Sequence, residues 1–317
     1  MSAPQMLVID TTGRKEYPPE ALAHLEGLPV RLEPAKAVQE DEVIEAARGA
    51  TGILVTGAYV TRRVMEALQP DLRVVQRYGV GLDRIDLDAA RQLGIEVRNV
   101  TDFCTNEVAD HALALLLAAA RDIVPQAVNV PEGRWRGSGR PIHRLAGGLA
   151  GVVGLGEIGQ AVARRVAAFG MAVLAYDPYA GSRTAQAMGV RLVALDQLLG
   201  EADVVLLTCP LTDETRGMID ADALALMKPT AILVNTSRGG LIDEEALAEA
   251  LREGDIAAAG LDVLEQEPPP EDHPLLSLDN AVITPHTAWA SVEAAHEVIV
   301  GGLRELAASL RNVRGSR

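Results

Sequence analysis

Short apolar runs alternate with helix-like segments along the whole chain of 317 residues, and this alternation constrains the fold more than any other feature. Short apolar runs between helical patterns are typical of parallel strands joined by helical crossovers. A parallel sheet is covered on both faces, so its strands are apolar throughout and do not alternate with polar residues. The sequence therefore predicts an α/β fold with parallel sheets.

The apolar runs form two series. The first series has five runs, at 6–10, 30–35, 52–57, 73–79 and 94–100. The second has six, at 149–154, 172–177, 203–209, 231–235, 257–264 and 280–286. A long helix after residue 100 and a connector rich in Gly, Pro and Arg over 131–145 separate them, and an Ala-rich helix follows from about Ser291. The first series predicts a parallel sheet covered on both faces, and the six strands of the second predict a doubly wound sheet.

The second series begins with a glycine-rich motif, "GVVGLGEIG", over 151–159. Gly154 permits a tight turn, Gly156 lets a pyrophosphate approach the backbone, and Gly159 lets the helix pack closely on the strand. Glu157 and Ile158 complete the motif at the start of that helix, whose N–H groups and dipole favour phosphates. The pattern is weak alone, but an apolar strand precedes it and a helix follows. We therefore predict a dinucleotide site.

Asp177 ends the next run, 18 residues after Gly159. A carboxylate there accepts hydrogen bonds from both ribose hydroxyls and repels a 2′-phosphate. This favours NAD over NADP, although the nearby Arg183 leaves some use of NADP open.

Polar residues follow the remaining strands of the second series, at the edge where the dinucleotide is expected. They are Thr208, Cys209 and Pro210, then Thr236, Ser237 and Arg238, then Asp262, and finally Thr284, Pro285 and His286. Of six histidines, only His286 ends a predicted parallel strand. A histidine can donate a proton near neutral pH, and an arginine can clamp a carboxylate bidentately. These residues indicate hydride transfer between a carbonyl and an alcohol on an anionic substrate.

Such a histidine needs a carboxylate that orients it and favours its protonated form. The candidates are Glu265, Glu267, Glu271 and Asp272. For each of them, a position in a solvent-exposed turn is the alternative to a role in orienting the histidine. Glu267 stands out only because Pro268–Pro270 stiffen the loop after it, so the residues alone leave the choice open.

Composition narrows the partners and the compartment. The 29 Lys and Arg against 44 Asp and Glu give a net charge of −15, which disfavours nucleic acid and anionic membranes. The two cysteines are far apart and form no CxxC motif, and no signal peptide or membrane-length apolar run is seen. No metal-binding motif is present. We expect a cytoplasmic protein without a metal.

The ordered motifs together resemble the D-isomer-specific 2-hydroxyacid dehydrogenase family over the whole chain. They are "GVGLDRIDL" (79–87), "NEVADHALALLLAAAR" (106–121), "GVVGLGEIG" with "YDPY" (176–179), "CPLTDETRGMI" (209–219), "LVNTSRGGLIDEEAL" (233–247), "GLDVLEQEPP" (260–269) and "TPHTAW" (284–289). The resemblance implies two doubly wound parallel-sheet domains: a flavodoxin-like substrate domain, 1–100 plus 288–317, and a Rossmann cofactor domain, 101–287. It also implies a homodimer that uses the long helix, and packing of the Ala/Leu-rich face of this helix in the core is the alternative.

The resemblance implies an NAD(H)-dependent enzyme that interconverts a 2-oxo acid and a D-2-hydroxy acid. Arg238 would hold the substrate carboxylate and carbonyl oxygen, His286 would give that oxygen a proton, and Glu267 would keep His286 protonated. Asp262 would bind the nicotinamide carboxamide. The implied backbone contacts with the substrate carboxylate are at Tyr78, Gly79, Val80 and Gly81. The implied cofactor contacts also include Thr208, Cys209, Pro210, Thr215, Thr236 and Ser237.

Three motifs, "CTNEVADHAL", "YDPY" and "PHTAW", are most similar to the branch of the family that includes the C-terminal-binding proteins. In that branch Trp289 would line the substrate pocket and Arg77 would lie on the substrate side, although packing between domains explains Trp289 nearly as well. Asp110 and Gly148 depart from the usual Glu and Lys without affecting the three catalytic candidates. An NADH-sensing scaffold and a short-form D-3-phosphoglycerate dehydrogenase remain alternatives. The intact Arg238–Glu267–His286 set argues against the scaffold.

Overall fold

The computed structural model describes residues 5–135, 137 and 139–315, and these form two compact units. Unit 1 consists of Met1–Cys104 with Ser291–Arg317, and unit 2 consists of Thr105–Ala290. The domain bounds expected from the resemblance lie within four residues of these divisions.

Unit 1 contains a five-stranded parallel sheet in the order β2-β1-β3-β4-β5. This order is that of the flavodoxin-like doubly wound fold. The strands are β1 (Met6–Asp10), β2 (Val30–Pro34), β3 (Gly52–Val55), β4 (Val74–Arg77) and β5 (Glu96–Arg98). The helices between them are α1 (Pro19–Ala23), α2 (Glu40–Ala46), α3 (Arg62–Ala67) and α4 (Leu87–Leu93).

Unit 2 contains a seven-stranded parallel sheet in the order β12-β11-β10-β9-β6-β7-β8. The helices are α5 (Thr105–Ala120), α6 (Ile123–Asn129), α7 (Glu157–Ala168), α8 (Ser182–Ala187), α9 (Leu195–Glu201), α10 (Ala221–Leu226) and α11 (Glu244–Glu253). The strands are β6 (Leu149–Val153), β7 (Ala172–Tyr176), β8 (Arg191–Leu192), β9 (Val204–Leu207), β10 (Ile232–Asn235), β11 (Ala258–Leu261) and β12 (Ala281–Ile283). Two 3-10 turns span Gly239–Leu241 and Pro274–Ser277.

The order in unit 2 is the Rossmann order with a seventh strand added at one edge. The chain changes direction across the sheet between β6 and β9, which are neighbours although three helices and two strands separate them in sequence. A crevice forms at such a switch point, at the carboxyl ends of the strands, and ligands bind there in open α/β sheets. The two all-parallel sheets confirm the predicted fold class.

The closing helix α12 (Val292–Gly315) belongs to unit 1, where Leu303, Leu306 and Leu310 on its inner face are fully buried. Gly302 gives the helix room for a close contact, since a Cβ at this position would lie 2.3 Å from Cε1 of Tyr78. The Tyr78 ring is therefore part of the core of unit 1.

Helix α5 has its Ala/Leu-rich face in the core of unit 2. Leu115 and Leu116 are buried, and Gly260 of β11 leaves room for Leu115, whose Cβ would lie 2.9 Å from a Cβ at Gly260. Leu115 and Leu116 therefore belong to the core of unit 2, as the core explanation of this face expects, and the predicted homodimer stays a prediction.

One element of the structure was not predicted from the sequence, and one predicted connector agrees with it. Strand β8 has two residues and was not predicted, because so short a run carries no periodic signal. The connector over 131–145 has no helix or strand in its described part, and residues 136 and 138 of it lie outside the described residues. In the described ranges, no helix combines the length and the apolar character needed to cross a membrane.

Candidate active site

The glycine turn after β6 packs tightly against the end of β9. Gly154 has φ +92°, and a Cβ there would lie 2.7 Å from the backbone N of Cys209. A Cβ on Gly159 would lie 2.0 Å from the carbonyl oxygen of Gly154. No side chain fits at either position. At Gly156, the residue before α7, a Cβ would meet no atom of the described residues within 4 Å, so the backbone there is accessible to a phosphate.

Asp177 follows β7 and is tied to the glycine turn. Its Oδ2 accepts a hydrogen bond from the Leu155 N–H at 2.7 Å. Its Oδ1 accepts from the N–H groups of Tyr179, at 2.8 Å, and Ala180, at 3.1 Å. These bonds fix a carboxylate beside the turn and leave it lone pairs for further donors. A carboxylate beside a glycine turn suits the ribose of a dinucleotide, so the residues present fit this cofactor.

The residues predicted on the adenosine side form a connected set at the end of β9. The Thr208 hydroxyl donates to the carbonyl oxygen of Gly154 at 2.7 Å, and the Thr215 hydroxyl donates to that of Pro210 at 2.7 Å. The Ser237 hydroxyl donates to the carbonyl oxygen of Cys209. Burial, reinforced by the charge of Asp177, raises the pKa of the Cys209 thiol to about 11. Cys209 is thus a protonated, buried thiol.

Strands β10, β11 and β12 are neighbours, so the loops after them leave the same edge of the sheet. These loops carry Arg238, Glu267 and His286. The Nδ1 of His286 lies 2.8 Å from Oε2 of Glu267, and the exposed fractions of the two side chains are 42% and 30%. Because a carboxylate accepts, Nδ1–H is the donor, and Nε2 is left for another partner.

Electrostatics at Glu267 favour its ionised form. Partial burial alone would raise its pKa. The hydrogen bond from His286, the charge of His286, the Leu264 N–H and the charge of Arg238 outweigh this and lower the pKa of Glu267 below its usual value. The three side chains therefore form a cation, an anion and an imidazole that support one another.

The Arg238 loop is held by Asn235, which is fully buried at the end of β10. Its Nδ2 donates to the carbonyl oxygen of Arg238 at 2.8 Å, and its Oδ1 accepts from the Ser237 N–H at 2.9 Å. Gly239 then allows the loop to contact the backbone after β11, since a Cβ at Gly239 would lie 2.0 Å from the carbonyl carbon of Leu264. This contact places Arg238 next to the loop of Glu267.

The His286 turn is held by Asp262, whose exposed fraction is 1%. Its carboxylate accepts from the Thr284 hydroxyl at 2.6 Å, the Thr287 N–H at 2.9 Å and the Ala288 N–H at 2.7 Å. These bonds hold His286 at φ +54°, a left-handed conformation that a residue with a Cβ adopts at a cost. Asp262 thus positions the turn of His286. Its contact with the nicotinamide carboxamide stays a prediction.

The loop of Glu267 is anchored by a half-buried pair, Glu244 and His273, that sequence reasoning missed. Glu244, at the start of α11, accepts from the Glu265 N–H at 2.7 Å, and its other oxygen lies 2.9 Å from Nε2 of His273. Among the four carboxylate candidates, Glu267 is the residue that bonds His286. The only sequence signal for the pair was the position of Glu244 after the Asp243 cap.

Asn235 and His111 were also missed as site residues. Nε2 of His111 on α5 lies 2.8 Å from the Thr284 hydroxyl and 3.4 Å from Asp262, so α5 supports the His286 turn. Asn235 ends a buried strand, and its polar character inside an apolar run was the available signal.

The predicted substrate contacts are divided between the units. Arg77, Tyr78, Gly79, Val80 and Gly81 lie in unit 1, directly after or at the end of β4. Trp289 lies in unit 2, three residues after His286, with an exposed fraction of 38%. Their contacts with a substrate stay predictions. The described residues contain no group of three or more His, Cys, Asp and Glu side chains arranged to hold a metal.

A Rossmann sheet with a glycine turn, a carboxylate after its second strand and a paired histidine at the same edge defines a dinucleotide-dependent dehydrogenase class. Residues 113–288 match the NAD binding domain of the D-isomer specific 2-hydroxyacid dehydrogenases. The match covers more than half of the chain, and the chain belongs to this family. The predicted cofactor, NAD, is thereby confirmed.

Named relatives agree with this assignment. The chain is 42% identical over 294 residues to D-3-phosphoglycerate dehydrogenase of Mycobacterium bovis, covering 93% of this chain and 54% of the relative. It is 49% identical over 238 residues to glyoxylate reductase of Korarchaeum cryptofilum, covering 74% and 71%. A crystal structure of a Thermus thermophilus protein superimposes with a TM-score of 0.85 at 38% identity, covering 97% of both chains. The chain spans about half the length of the phosphoglycerate dehydrogenases it matches. None of these relatives singles out the C-terminal-binding-protein branch.

Proposed function

We propose that the protein is an NAD(H)-dependent oxidoreductase that interconverts a 2-oxo acid and a D-2-hydroxy acid. The observation that carries the proposal is the 2.8 Å bond between His286 and Glu267 at the sheet edge that also carries Arg238. Bound NADH supplies the hydride for the carbonyl carbon. Residues of the protein bind, orient and protonate the substrate.

His286 is the proposed acid in reduction and the base in oxidation. Its Nδ1–H is held by the ionised Glu267, which orients the ring and leaves Nε2 for the substrate oxygen. When the carbonyl carbon is reduced, Nε2 gives its proton to the carbonyl oxygen. In the reverse direction the neutral imidazole takes the proton of the hydroxyl group.

Arg238 is the proposed cation for the substrate carboxylate and carbonyl oxygen. A guanidinium is always charged and can bind two oxygens in one plane, which fits a 2-oxo acid. The bonds of Asn235 to the loop hold this residue in place before any substrate arrives. In unit 1, the backbone of Tyr78–Gly81 is the proposed second receiver of the carboxylate.

A substrate panel tests the proposal most directly. NADH oxidation is followed by absorbance with glyoxylate, pyruvate, phenylpyruvate and 4-methylthio-2-oxobutyrate, and each active substrate is repeated with NADPH. We expect turnover of at least one of them with NADH preferred, because Asp177 repels a 2′-phosphate. Tight binding of NADH without turnover of any 2-oxo acid would refute the enzyme and favour an NADH-sensing scaffold.

The similarity to phosphoglycerate dehydrogenases favours one narrower candidate. 3-Phosphooxypyruvate is therefore included in the panel. If it is reduced with a specificity constant well above those of the other four acids, the chain is a short-form D-3-phosphoglycerate dehydrogenase. If it is among the poorest substrates, that candidate is refuted and the broader proposal is kept.

We also propose a cytoplasmic homodimer. Apolar side chains are exposed on α6 and in the segment after it, including Val128 at 55% and Trp135 at 88%, and monomers rarely expose large apolar patches. Light scattering should give twice the mass of the chain, and Val128→Glu should shift it to the monomer. Val292→Glu is the control, since Val292 is an exposed apolar residue on α12 of unit 1. A monomeric wild type would refute the dimer.

A further inference from the structure

The loop after β4, Tyr78–Gly81, is here called the anion loop, and all four of its carbonyl oxygens are bonded to its own unit. The Arg77 guanidinium donates to the carbonyl oxygen of Tyr78 and, through Nε at 3.2 Å, to that of Gly81. Nδ2 of Asn99 donates to the carbonyl oxygen of Val80 at 2.7 Å. The Val100 N–H donates to that of Gly79 at 3.3 Å. The negative ends of the four peptide dipoles are thus bonded to donors of unit 1.

The N–H groups of the anion loop are treated differently. The Tyr78 N–H donates to the carbonyl oxygen of Val55 at 2.8 Å. Within the part of the chain that the structure describes, the N–H groups of Gly79, Val80 and Gly81 have no protein acceptor. Val80 is exposed, but Gly79 is buried and Gly81 is half-buried, and N–H groups at such positions are normally paired. Successive N–H groups without protein acceptors make a concavity that binds anions.

Arg77 also explains the glycine at position 79. Gly79 has φ +134°, and a Cβ there would lie 2.9 Å from Nη1 of Arg77. The guanidinium therefore lies directly against the backbone of the loop. A side chain at position 79 would push it away from the carbonyl oxygens that it binds.

We propose that Arg77 and Asn99 are positioning residues that hold the carbonyl oxygens of the anion loop away from the substrate, so that the loop meets a carboxylate with N–H groups alone. The inference rests on the proposed function, because it takes a 2-oxo acid carboxylate as the ligand. Rotation of one peptide would replace a donor by an acceptor and repel the anion. Arg77 prevents this rotation at both ends of the loop, and Asn99 prevents it at Val80.

The proposal differs from a direct ion pair between Arg77 and the substrate, which the resemblance to one family branch implies. Asn99 separates the two explanations, because it is neutral and its Nδ2 is bonded to the Val80 carbonyl oxygen. If Arg77 acted only through its charge, removing the Asn99 amide would leave substrate binding unchanged. If both residues hold the carbonyl oxygens of the loop, removal of either side chain must weaken substrate binding.

Steady-state kinetics with the best 2-oxo acid of the panel test this with Asn99→Ala, Arg77→Gln and Arg77→Lys. Loss of one such bond should raise KM and the inhibition constant of oxalate about tenfold in Asn99→Ala, and more in Arg77→Gln. Lysine can reach only one carbonyl oxygen, so Arg77→Lys should lie between wild type and Arg77→Gln. The kcat and the Kd of NADH should stay within about twofold, since uniform binding is lost. The control is Arg98→Gln, because Arg98 on β5 is exposed and paired with Glu96.

Hydrogen exchange of the peptide that contains the anion loop gives a readout that needs no turnover. We expect faster exchange in Asn99→Ala and Arg77→Gln than in wild type, and slower exchange in wild type when oxalate and NADH are bound. A raised KM in Arg77→Gln with unchanged KM and exchange in Asn99→Ala would overturn the bracing role, as would an equal loss in Arg98→Gln. If wild type reduces no 2-oxo acid while both variants loosen the loop, the proposed function fails and the bracing role stands.

Discussion

Replacing Gly239 by alanine tests whether close backbone contact holds the catalytic loops together. A Cβ at this position would lie 2.0 Å from the carbonyl carbon of Leu264 and 2.2 Å from the N of Glu265. Both atoms belong to the backbone, so no rotation of a side chain relieves the overlap. The loops of Arg238 and Glu267 must move apart to accommodate one methyl group.

The size of this movement sets the expected effect. Nonbonded carbon atoms are most stable at about 3.5 Å or more, so the two segments must separate by about 1.5 Å. Overpacking of this kind costs about 1–3 kcal/mol of unfolding free energy. A displacement of about 1 Å in a catalytic group lowers the rate about 100-fold. We therefore expect Gly239→Ala to lower kcat at least about 100-fold with a modest loss of stability.

Steady-state kinetics, a thermal melt and NADH binding by fluorescence together check this expectation. NADH affinity should change little, because the glycine turn at Gly154–Gly159 is built on other strands. Gly240→Ala is the matched control. A Cβ there would lie 3.2 Å from Nη1 of Arg216 and 3.2 Å from Cδ2 of Leu211, which are ends of flexible side chains that can shift. We expect the control to keep most of the activity.

Two results would refute the reasoning. If Gly239→Ala keeps kcat and melting temperature near the wild-type values, the close contact of the two loops is not real. If Gly239→Ala and Gly240→Ala lose activity to the same degree, the effect arises from the turn in general and not from the approach to Leu264.

Four further predictions follow from single side chains. Arg238→Lys should lower kcat/KM for a 2-oxo acid by about 100-fold or more with NADH affinity nearly unchanged, because lysine has no planar fork; near wild-type turnover contradicts the clamp. Asp177→Ala should reduce the preference for NADH over NADPH by about tenfold or more, and an unchanged ratio of specificity constants contradicts the ribose contact. The pKa of Glu267 is lowered in the folded protein, so its stabilising effect is present above its unfolded pKa and is lost as pH falls through the folded value. Urea unfolding should therefore show the advantage of wild type over Glu267→Gln shrinking in acid, and an advantage that grows there contradicts the assignment. Because burial raises the pKa of Cys209 to about 11, iodoacetamide should label it slowly in the native protein and rapidly in urea, as peptide mass spectrometry would show.

The parts of the fold and site that follow local rules were predictable from the sequence. The two parallel sheets follow from apolar runs that alternate with helical patterns, and the glycine turn and Asp177 follow from spacing along one strand–helix–strand unit. Asp243 and Gly254 likewise bound α11, with the Asp243 carboxylate accepting from the Ala246 N–H at 3.0 Å and Gly254 at φ +81°. In each case the relevant neighbours are close in sequence.

The choice among the carboxylates of the loop after β11 was not predictable in this way. Which side chain faces His286 depends on the bond between Glu244 and the Glu265 N–H, and these residues are 21 positions apart. The positioning roles of Asn235 and Asp262 were missed for the same reason. Asn235 reads as the last residue of a strand, and Asp262 as a polar residue near a cofactor, until the bonds to the following loops are seen.

Two features position the catalytic side chains of unit 2: the spacing of the strands brings their loops together, and hydrogen bonds from polar side chains fix each loop. Adjacent strands lie about 4.8 Å apart, so the ends of β10 and β12 are about 10 Å from each other with β11 between them. This spacing brings the three loops together but leaves each side chain several ångströms of freedom, too much for a hydrogen bond of 2.8 Å between His286 and Glu267. The buried Asn235 and Asp262 and the half-buried Glu244 supply the missing precision, because each bonds backbone groups of one loop. Sheet topology therefore accounts for the choice of strands, and these three polar side chains account for the geometry that the proposed proton transfer requires.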